Sequence, residues 1–181
     1  MKLTAILGAI GAASDPSRTF GVNVEGLAID SRKVSRGDLF FAIPGEKTDG
    51  HDFLEQARQK GAAGAVVSRR VEGSPLEQFV VPDTRRALAL AACEFYGHPS
   101  YAIPLVGITG TNGKTTIAFL VRQILKAEGI KCGLLGTIYN IIAEEEIEPS
   151  ELTTAMAHDI QRLLARIRER GNRAAVMEVS S

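Results

Sequence analysis

Gly107-Ile108-Thr109-Gly110-Thr111-Asn112-Gly113-Lys114-Thr115-Thr116 is the stretch on which the reading of this chain turns. It follows a near-continuous apolar run, Ile103 to Thr109, and precedes a helically spaced segment from Lys114 to Glu128. It therefore occupies a strand-to-helix turn, the context a phosphate-binding loop requires. Glycines let backbone N–H groups turn inward around a polyphosphate with no Cβ in the way. The helix N-terminus adds unpaired donors and a favourable dipole. Lys114 supplies a positive charge for the outer phosphates, and the Thr115 hydroxyl can ligate Mg²⁺. Gly110, Thr111, Asn112, Gly113, Lys114, Thr115 and Thr116 are thus the candidate ATP-binding residues, with Lys114 acting in catalysis as well. The spacing departs from the strict phosphate-loop signature, because the upstream glycine is Gly107 where that signature wants one at Ile108. The competing reading is an ordinary strand-to-helix turn with an incidental lysine.

Downstream, the helix ends at Gly129, and Cys132 to Leu135 reads as the next strand. Tyr139 to Ser150, with Glu144, Glu145, Glu146 and Glu148, reads as a polar, exposed connector. Thr153 or Thr154 is expected to open a helix running to Arg170, and Ala174 to Val179 to form a buried strand. Alternating strands and helices of this kind predict a parallel sheet. In such a sheet Glu178, at a strand's carboxyl end, shares an edge with the phosphate loop. It is a candidate Mg²⁺ ligand and catalytic residue, against the plainer reading of a solvated strand end. The last strand feeds no further helix, so a piece of a longer enzyme is expected.

Upstream, Val24 to Ile29 and Leu39 to Ile43 are β-rich runs separated by a polar loop, Asp30 to Asp38. Asp52 to Lys60 has helical spacing, with Phe53, Leu54 and Ala57 on one face; Ala65 to Val67 and Phe79 to Val81 are short strands. Asp83 or Thr84 caps a helix running to about Tyr96. Met1 to Ile10 reads as an amphipathic first helix rather than a leader. Gly97-His98-Pro99-Ser100 is the linker candidate, giving domains at 1–99 and 100–181. The fold class is α/β: a small α/β N-terminal domain, then the start of a parallel-sheet, phosphate-loop ATPase domain.

Lys+Arg and Asp+Glu are both 21, so the formal net charge is zero, which gives no electrostatic reason to expect nucleic acid or a membrane surface. No apolar run approaches the ~20 residues of a spanning helix. Cys93 and Cys132 sit among apolar neighbours, as buried reduced thiols do, and the expected compartment is the cytoplasm. His51, His98 and His158 lack ligand spacing; His51 reads as a surface helix start or a substrate contact. The arginines at 162, 166, 168, 170 and 173 read as a solvated helix face, and Arg85 and Arg86 as solvent-facing.

With these residues in place, the sequence resembles the Mur ligases, which append amino acids to the peptidoglycan precursor. Gly-Thr-Asn-Gly-Lys-Thr-Thr at 110–116 is shared across that superfamily, folylpolyglutamate synthases included. Asp30-Ser31-Arg32-Lys33-Val34, Gly37-Asp38-Leu39-Phe40-Phe41-Ala42 and Gly45-Glu46-Lys47-Thr48-Asp49-Gly50-His51 look like the uridine-nucleotide domain of the MurE and MurF types. Leu134-Leu135-Gly136-Thr137, Leu152-Thr153-Thr154 and Met177-Glu178-Val179-Ser180-Ser181 look like the MurE type. The resemblance implies a monomeric, ATP- and Mg²⁺-dependent ligase joining a diamino acid, meso-diaminopimelate or L-lysine, to UDP-MurNAc-L-Ala-D-Glu through an acyl phosphate. It implies uridine-nucleotide contacts from Ile29, Ser31, Glu46, Lys47 and Thr48, and muramoyl-peptide contacts from Thr153, Thr154 and Ser180. Thr115 and Glu178 would hold Mg²⁺. Ala155 stands where the family often has proline. The family's histidine after the Ser-Ser pair, its carbamylated lysine and its amino-acid-binding domain fall beyond residue 181, so little ligase activity is expected of these residues alone. A MurF-type ligase and a non-catalytic nucleotide-binding module are the alternatives.

Overall fold

A computed structural model describes residues 1–45, 48–150 and 152–180, and the chain divides into two compact units, Met1–Phe95 and Tyr96–Ser181.

The first unit opens with helix α1 (Leu3–Ile10), whose buried Leu3, Ile6, Leu7 and Ile10 recur at the helical period. A single turn, α2 (Pro16–Thr19), follows, with the Asp15 carboxylate capping its N-terminus. Strands β1 (Gly26–Ala28), β2 (Asp38–Phe41), β3 (Gly64–Val67) and β4 (Gln78–Val80) form an all-parallel sheet in that order. Leu39, Phe40 and Phe41 are all fully buried, as a strand covered on both faces demands. Phe40 packs with Ala28, Ala65, Leu54 and Ala57 on the face held by helix α3 (Leu54–Gln59). The opposite face is covered by helix α4 (Thr84–Phe95), which packs on β3 and on α1. The helix expected from Asp52 is preceded by a 3₁₀ turn, Gly50–Phe53, capped by the Asp49 side chain.

In the second unit the expected linker is partly helical: α5 (Pro99–Ala102) begins inside it, with Pro99 in the first turn, where its missing N–H costs nothing. Strand β5 (Leu105–Ile108) leads through the glycine-rich turn into helix α6 (Lys114–Ala127). Strands β6 (Cys132–Leu135), β7 (Tyr139–Ala143) and β8 (Glu146–Pro149), helix α7 (Ala157–Glu169) and strand β9 (Ala174–Glu178) complete the unit. The sheet order is β5-β9-β6-β7-β8, with β5, β9 and β6 parallel and β7 and β8 antiparallel. Helix α6 covers one face over Cys132, Leu134, Ala174 and Val176, and α7 covers the other over Leu135, Ile142 and Ala175.

Five expectations need correction. The segment from Tyr139 is a β-hairpin, not a connector, and Glu144, Glu146 and Glu148 are partnered. Arg166 donates to Glu146 and Glu148, Arg170 pairs with Glu146, and Glu144 takes donors from Arg122 and Lys126. The same pairs mean that the α7 arginines are not simply solvated, since Arg166 and Arg170 clamp the hairpin. Strand β5 is the edge of the sheet among the described residues, so Val106 is exposed rather than covered. Helix α7 begins at Ala157 behind Met156, because the Thr154 hydroxyl is engaged elsewhere. Cys132 is buried as expected, whereas Cys93 is only half-buried.

Gly133 marks the tightest helix–sheet approach: a Cβ there would lie 2.6–2.8 Å from three side-chain atoms of Ile167. Ile167 is β-branched and stiff in its helix, so it cannot step aside cheaply. Gly133→Ala should therefore destabilise the second unit by about 1–3 kcal/mol, read as an earlier denaturant midpoint. An unchanged midpoint would refute this packing.

Candidate functional site

The parallel strands of the second unit deliver three turns to one edge. Ile108 pairs with Glu178, and Leu135 with Met177, so the turns after β5, β6 and β9 leave the sheet side by side. The first is the glycine-rich loop. Gly110 and Gly113 have φ of 146° and 78°, a region that favours glycine, and Gly113 is the N-cap of α6 without a side-chain cap. The first turn of α6 thereby presents backbone N–H groups with no competing oxygen, the prerequisite for gripping an anion. The Lys114 ammonium lies back across the loop and donates to the Gly110 carbonyl at 2.6 Å. Thr111, Asn112 and Thr116 are exposed around it.

Glu178 sits beneath this loop with no solvent exposure. The Thr115 hydroxyl donates to its Oε2 at 2.8 Å, the Thr137 hydroxyl to Oε2 at 3.0 Å, and the Thr137 amide to Oε1 at 2.9 Å. Gly136 is needed for this approach, since a Cβ there would stand 3.0 Å from Oε1. Thr137 was not among the sequence-derived site residues. Its signal was its position just past a strand that points at the loop. Thr115 and Glu178 offer only hard oxygen donors, the type Mg²⁺ takes. A Mg–O distance of about 2.1 Å spaces neighbouring ligands by about 3 Å, close to the separation of these two oxygens. They fit a magnesium ion that completes its shell with water and phosphate. Among the described residues, no cluster of three or more His, Cys, Asp or Glu side chains could make an all-protein metal cage.

Thr154 and Ser180 meet at the same edge: the Ser180 amide donates to the Thr154 hydroxyl at 2.8 Å, and the two hydroxyls lie 3.0 Å apart. Thr153 is half-buried beside them.

In the first unit, Ile29, Ser31 and Thr48 line one cavity of about 480 Å³, together with Asp30, Arg32, Ile43, Gly50, Phe53 and Gln56. It opens where β1 and β2 end. The buried Ser31 hydroxyl donates to the Gln56 side-chain oxygen at 2.5 Å. Glu46 and Lys47 lie outside the described residues, as does Ser181. His51 lies neither at the surface nor in the wall of this cavity, though it borders another beside Arg69 and Arg70. It is buried, with Nδ1 at 2.6 Å from Asp49 and Nε2 accepting the Ser68 amide at 3.0 Å.

Two electrostatic consequences follow. A bidentate hydrogen bond from Arg32 holds the Asp30 carboxyl down at about 2, against an ordinary 3.8. Since the folded value is the lower one, this contribution to stability is complete above pH 3.8 and disappears as pH falls toward 2. An NMR titration of Asp30 should give a midpoint near 2, moving up toward 3.8 in Arg32→Ala, and a parent midpoint at 3.8 would dismiss the pair. Glu178→Ala would leave a cavity beneath the loop and take the acceptor from two hydroxyls and an amide. It should destabilise the second unit by about 2–5 kcal/mol in chemical denaturation, and a loss below about 1 kcal/mol would show the contacts to be incidental.

With this geometry in hand, comparison with known proteins gives a consistent result. Residues 23–96 match the family model described as "Mur ligase family, catalytic domain", and residues 108–181 match "Mur ligase middle domain". The UDP-N-acetylmuramoyl-L-alanyl-D-glutamate--2,6-diaminopimelate ligase of Geobacter metallireducens is 43% identical over 171 residues, covering 93% of this chain and 33% of the relative. A solved structure of a ligase bearing that same name is 26% identical, with a TM-score of 0.75 over 99% of this chain and 36% of its own. The MurF ligase of Thermotoga maritima, solved in complex with ADP, is 25% identical with a TM-score of 0.58, over 88% of this chain and 32% of its own. The chain thus spans about a third of the length of the curated relatives it matches.

Proposed function

Since this chain belongs to the Mur ligase family, we propose that it carries the uridine-nucleotide and ATP sites of a ligase. That ligase adds 2,6-diaminopimelate to UDP-MurNAc-L-Ala-D-Glu in peptidoglycan synthesis. The observation carrying this reading is the convergence of Lys114, Thr115, Thr137 and Glu178 at the end of a glycine-rich loop. The relatives' shared name supports diaminopimelate over L-lysine, and it supports a MurE-type reading over a MurF-type one.

In this reading ATP transfers its γ-phosphoryl group to the terminal glutamate carboxylate, and the incoming amine attacks the acyl phosphate. Two anions must be brought together, so the site has to neutralise charge before any bond forms. Backbone amides from Thr111 to Thr116 hold the phosphates, and Lys114 leaves its resting carbonyl on Gly110 for the outer phosphates. Mg²⁺, when bound, would offset the phosphate charge, with Thr115 and Glu178 as its protein-side donors. The Thr115 hydroxyl can turn a lone pair to a cation while still donating its proton to Glu178. Thr153, Thr154 and Ser180, neutral donors at the same edge, suit the muramoyl-peptide. Ile29, Ser31 and Thr48 suit the uridine nucleotide, and Glu46 and Lys47 are assigned with them from the loop's sequence. No described helix is long and apolar enough to cross a membrane. A nucleotide-linked substrate and ATP fit a cytoplasmic enzyme.

Thermal shift and calorimetry with UDP, UDP-MurNAc-L-Ala-D-Glu and Mg·ATP test the reading directly. Both uridine ligands and Mg·ATP should stabilise the chain. Lys114→Ala should weaken Mg·ATP binding by at least about tenfold while leaving UDP binding intact. Indifference to every uridine ligand would eliminate the proposal. Undiminished Mg·ATP binding by Lys114→Ala would remove the phosphate-loop assignment.

A further inference from the structure

The loop carrying Thr48 forms one wall of the first unit's cavity, contributing Ile43, Thr48 and Gly50. Its base is closed by two backbone bonds, Gly45 N–H to the Thr48 carbonyl at 3.0 Å and Gly50 N–H to the Ile43 carbonyl at 3.1 Å. Gly50 permits this closure, since a Cβ there would meet the backbone of Ala42 and Ile43 at 2.6–2.9 Å. Between Thr48 and Gly50 stands Asp49, whose carboxylate turns away from the cavity. Its Oδ1 takes the backbone amide of His51 at 3.0 Å and the His51 ring at 2.6 Å; its Oδ2 takes Arg69 at 2.7 Å. These donors, led by the His51 amide and the Arg69 guanidinium, hold the Asp49 carboxyl well below the usual carboxylate range.

The His51 ring is fully buried, and its two nitrogens have fixed duties. Nε2 accepts the Ser68 amide at 3.0 Å, so it must present a lone pair, and the ring proton then resides on Nδ1, facing Asp49. The ring therefore bolts the loop through the Asp49 carboxylate, with the Ser68 amide selecting the tautomer that does so. His51 and the residues around it also border a second cavity, of about 560 Å³, with Arg69 and Arg70 in its wall. The bolt thus lies behind the nucleotide wall and outside the nucleotide cavity.

We propose that His51, acting through Asp49, is a positioning residue that presets the Thr48 loop for the uridine nucleotide. It touches no ligand. The inference rests on the uridine reading given above. A loop fixed before binding loses less conformational freedom when ligand arrives, so the bolt should appear in affinity rather than only in stability.

Two conservative variants separate the ring's halves. In His51→Asn the amide nitrogen can occupy the Nδ1 position, keeping the donor to Asp49 and dropping Ser68. In His51→Gln the longer amide reaches the Nε2 position, keeping Ser68 and dropping Asp49. With UDP as the calorimetric probe, His51→Gln should bind about tenfold or more weakly, and His51→Asn within about threefold of the parent. Arg69→Ala, altering a side chain 60% exposed, should fold normally and lose about two- to fivefold. Mg·ATP affinity should be unchanged in all three. Equal UDP affinity in the Asn and Gln variants, whether retained or lost together, would overturn the proposal and leave His51 a purely structural residue. Failure of the parent chain to bind UDP would instead remove the uridine reading, and this inference with it.

Discussion

A carboxylate with no access to solvent has to find its donors in the protein, and the second unit is organised around one that does. Glu178 draws its three hydrogen bonds from Thr115 and Thr137, residues 63 and 41 positions away in the chain. Together they tie three turns at one point: the start of α6, the turn after β6 and the end of β9. The sheet order makes this possible. With β9 inserted between β5 and β6, its last side chain emerges midway between the two turns that follow its neighbours. All the donors are neutral, so the negative charge is solvated but not cancelled, and the site keeps a field that favours a cation.

Asp49 holds the first unit's loop by related means but under different physical conditions. Its side chain is 28% exposed, and one of its partners is a guanidinium on the surface, so water and salt temper that contact. What makes the arrangement specific is the buried imidazole, whose geometry leaves one choice of tautomer. Asp30, by contrast, is bound to Arg32, its own near neighbour, and organises only its own turn.

The phosphate loop was legible in the sequence because its conformation is dictated locally, by glycines, a lysine and a helix start within ten residues. The buried strands were legible for the same reason, as apolar runs such as Leu39 to Ala42 have few other uses. The misreadings share one cause. Glu144 to Glu148 and the α7 arginines were each treated as solvated because each segment alone is a charge run. Their pairing spans 18 residues or more, and no local periodicity encodes it. His51 reads equally as a surface helix start or a substrate contact, because nothing local signals that Asp49 and Ser68 enclose it. Thr154 looks like a helix cap in sequence, yet its hydroxyl serves Ser180, 26 residues on. Polar side chains near turns thus declare that they will be used, but not by whom.

The two units meet different recognition problems at the same kind of place, the carboxyl ends of parallel strands. A polyphosphate is recognised by charge and by a ring of amides, which the backbone supplies once glycines permit the turn, so little beyond one lysine has to be chosen. A nucleoside offers ring edges and hydroxyls, which call for side chains of defined shape, and the first unit's cavity accordingly gathers Ser31, Thr48, Phe53 and Gln56 from separate segments. Such a set is only as good as the loops that carry it. Hence a phosphate site can be spelled in one short run of sequence, whereas the proposed uridine site gathers its side chains from segments well apart in the chain.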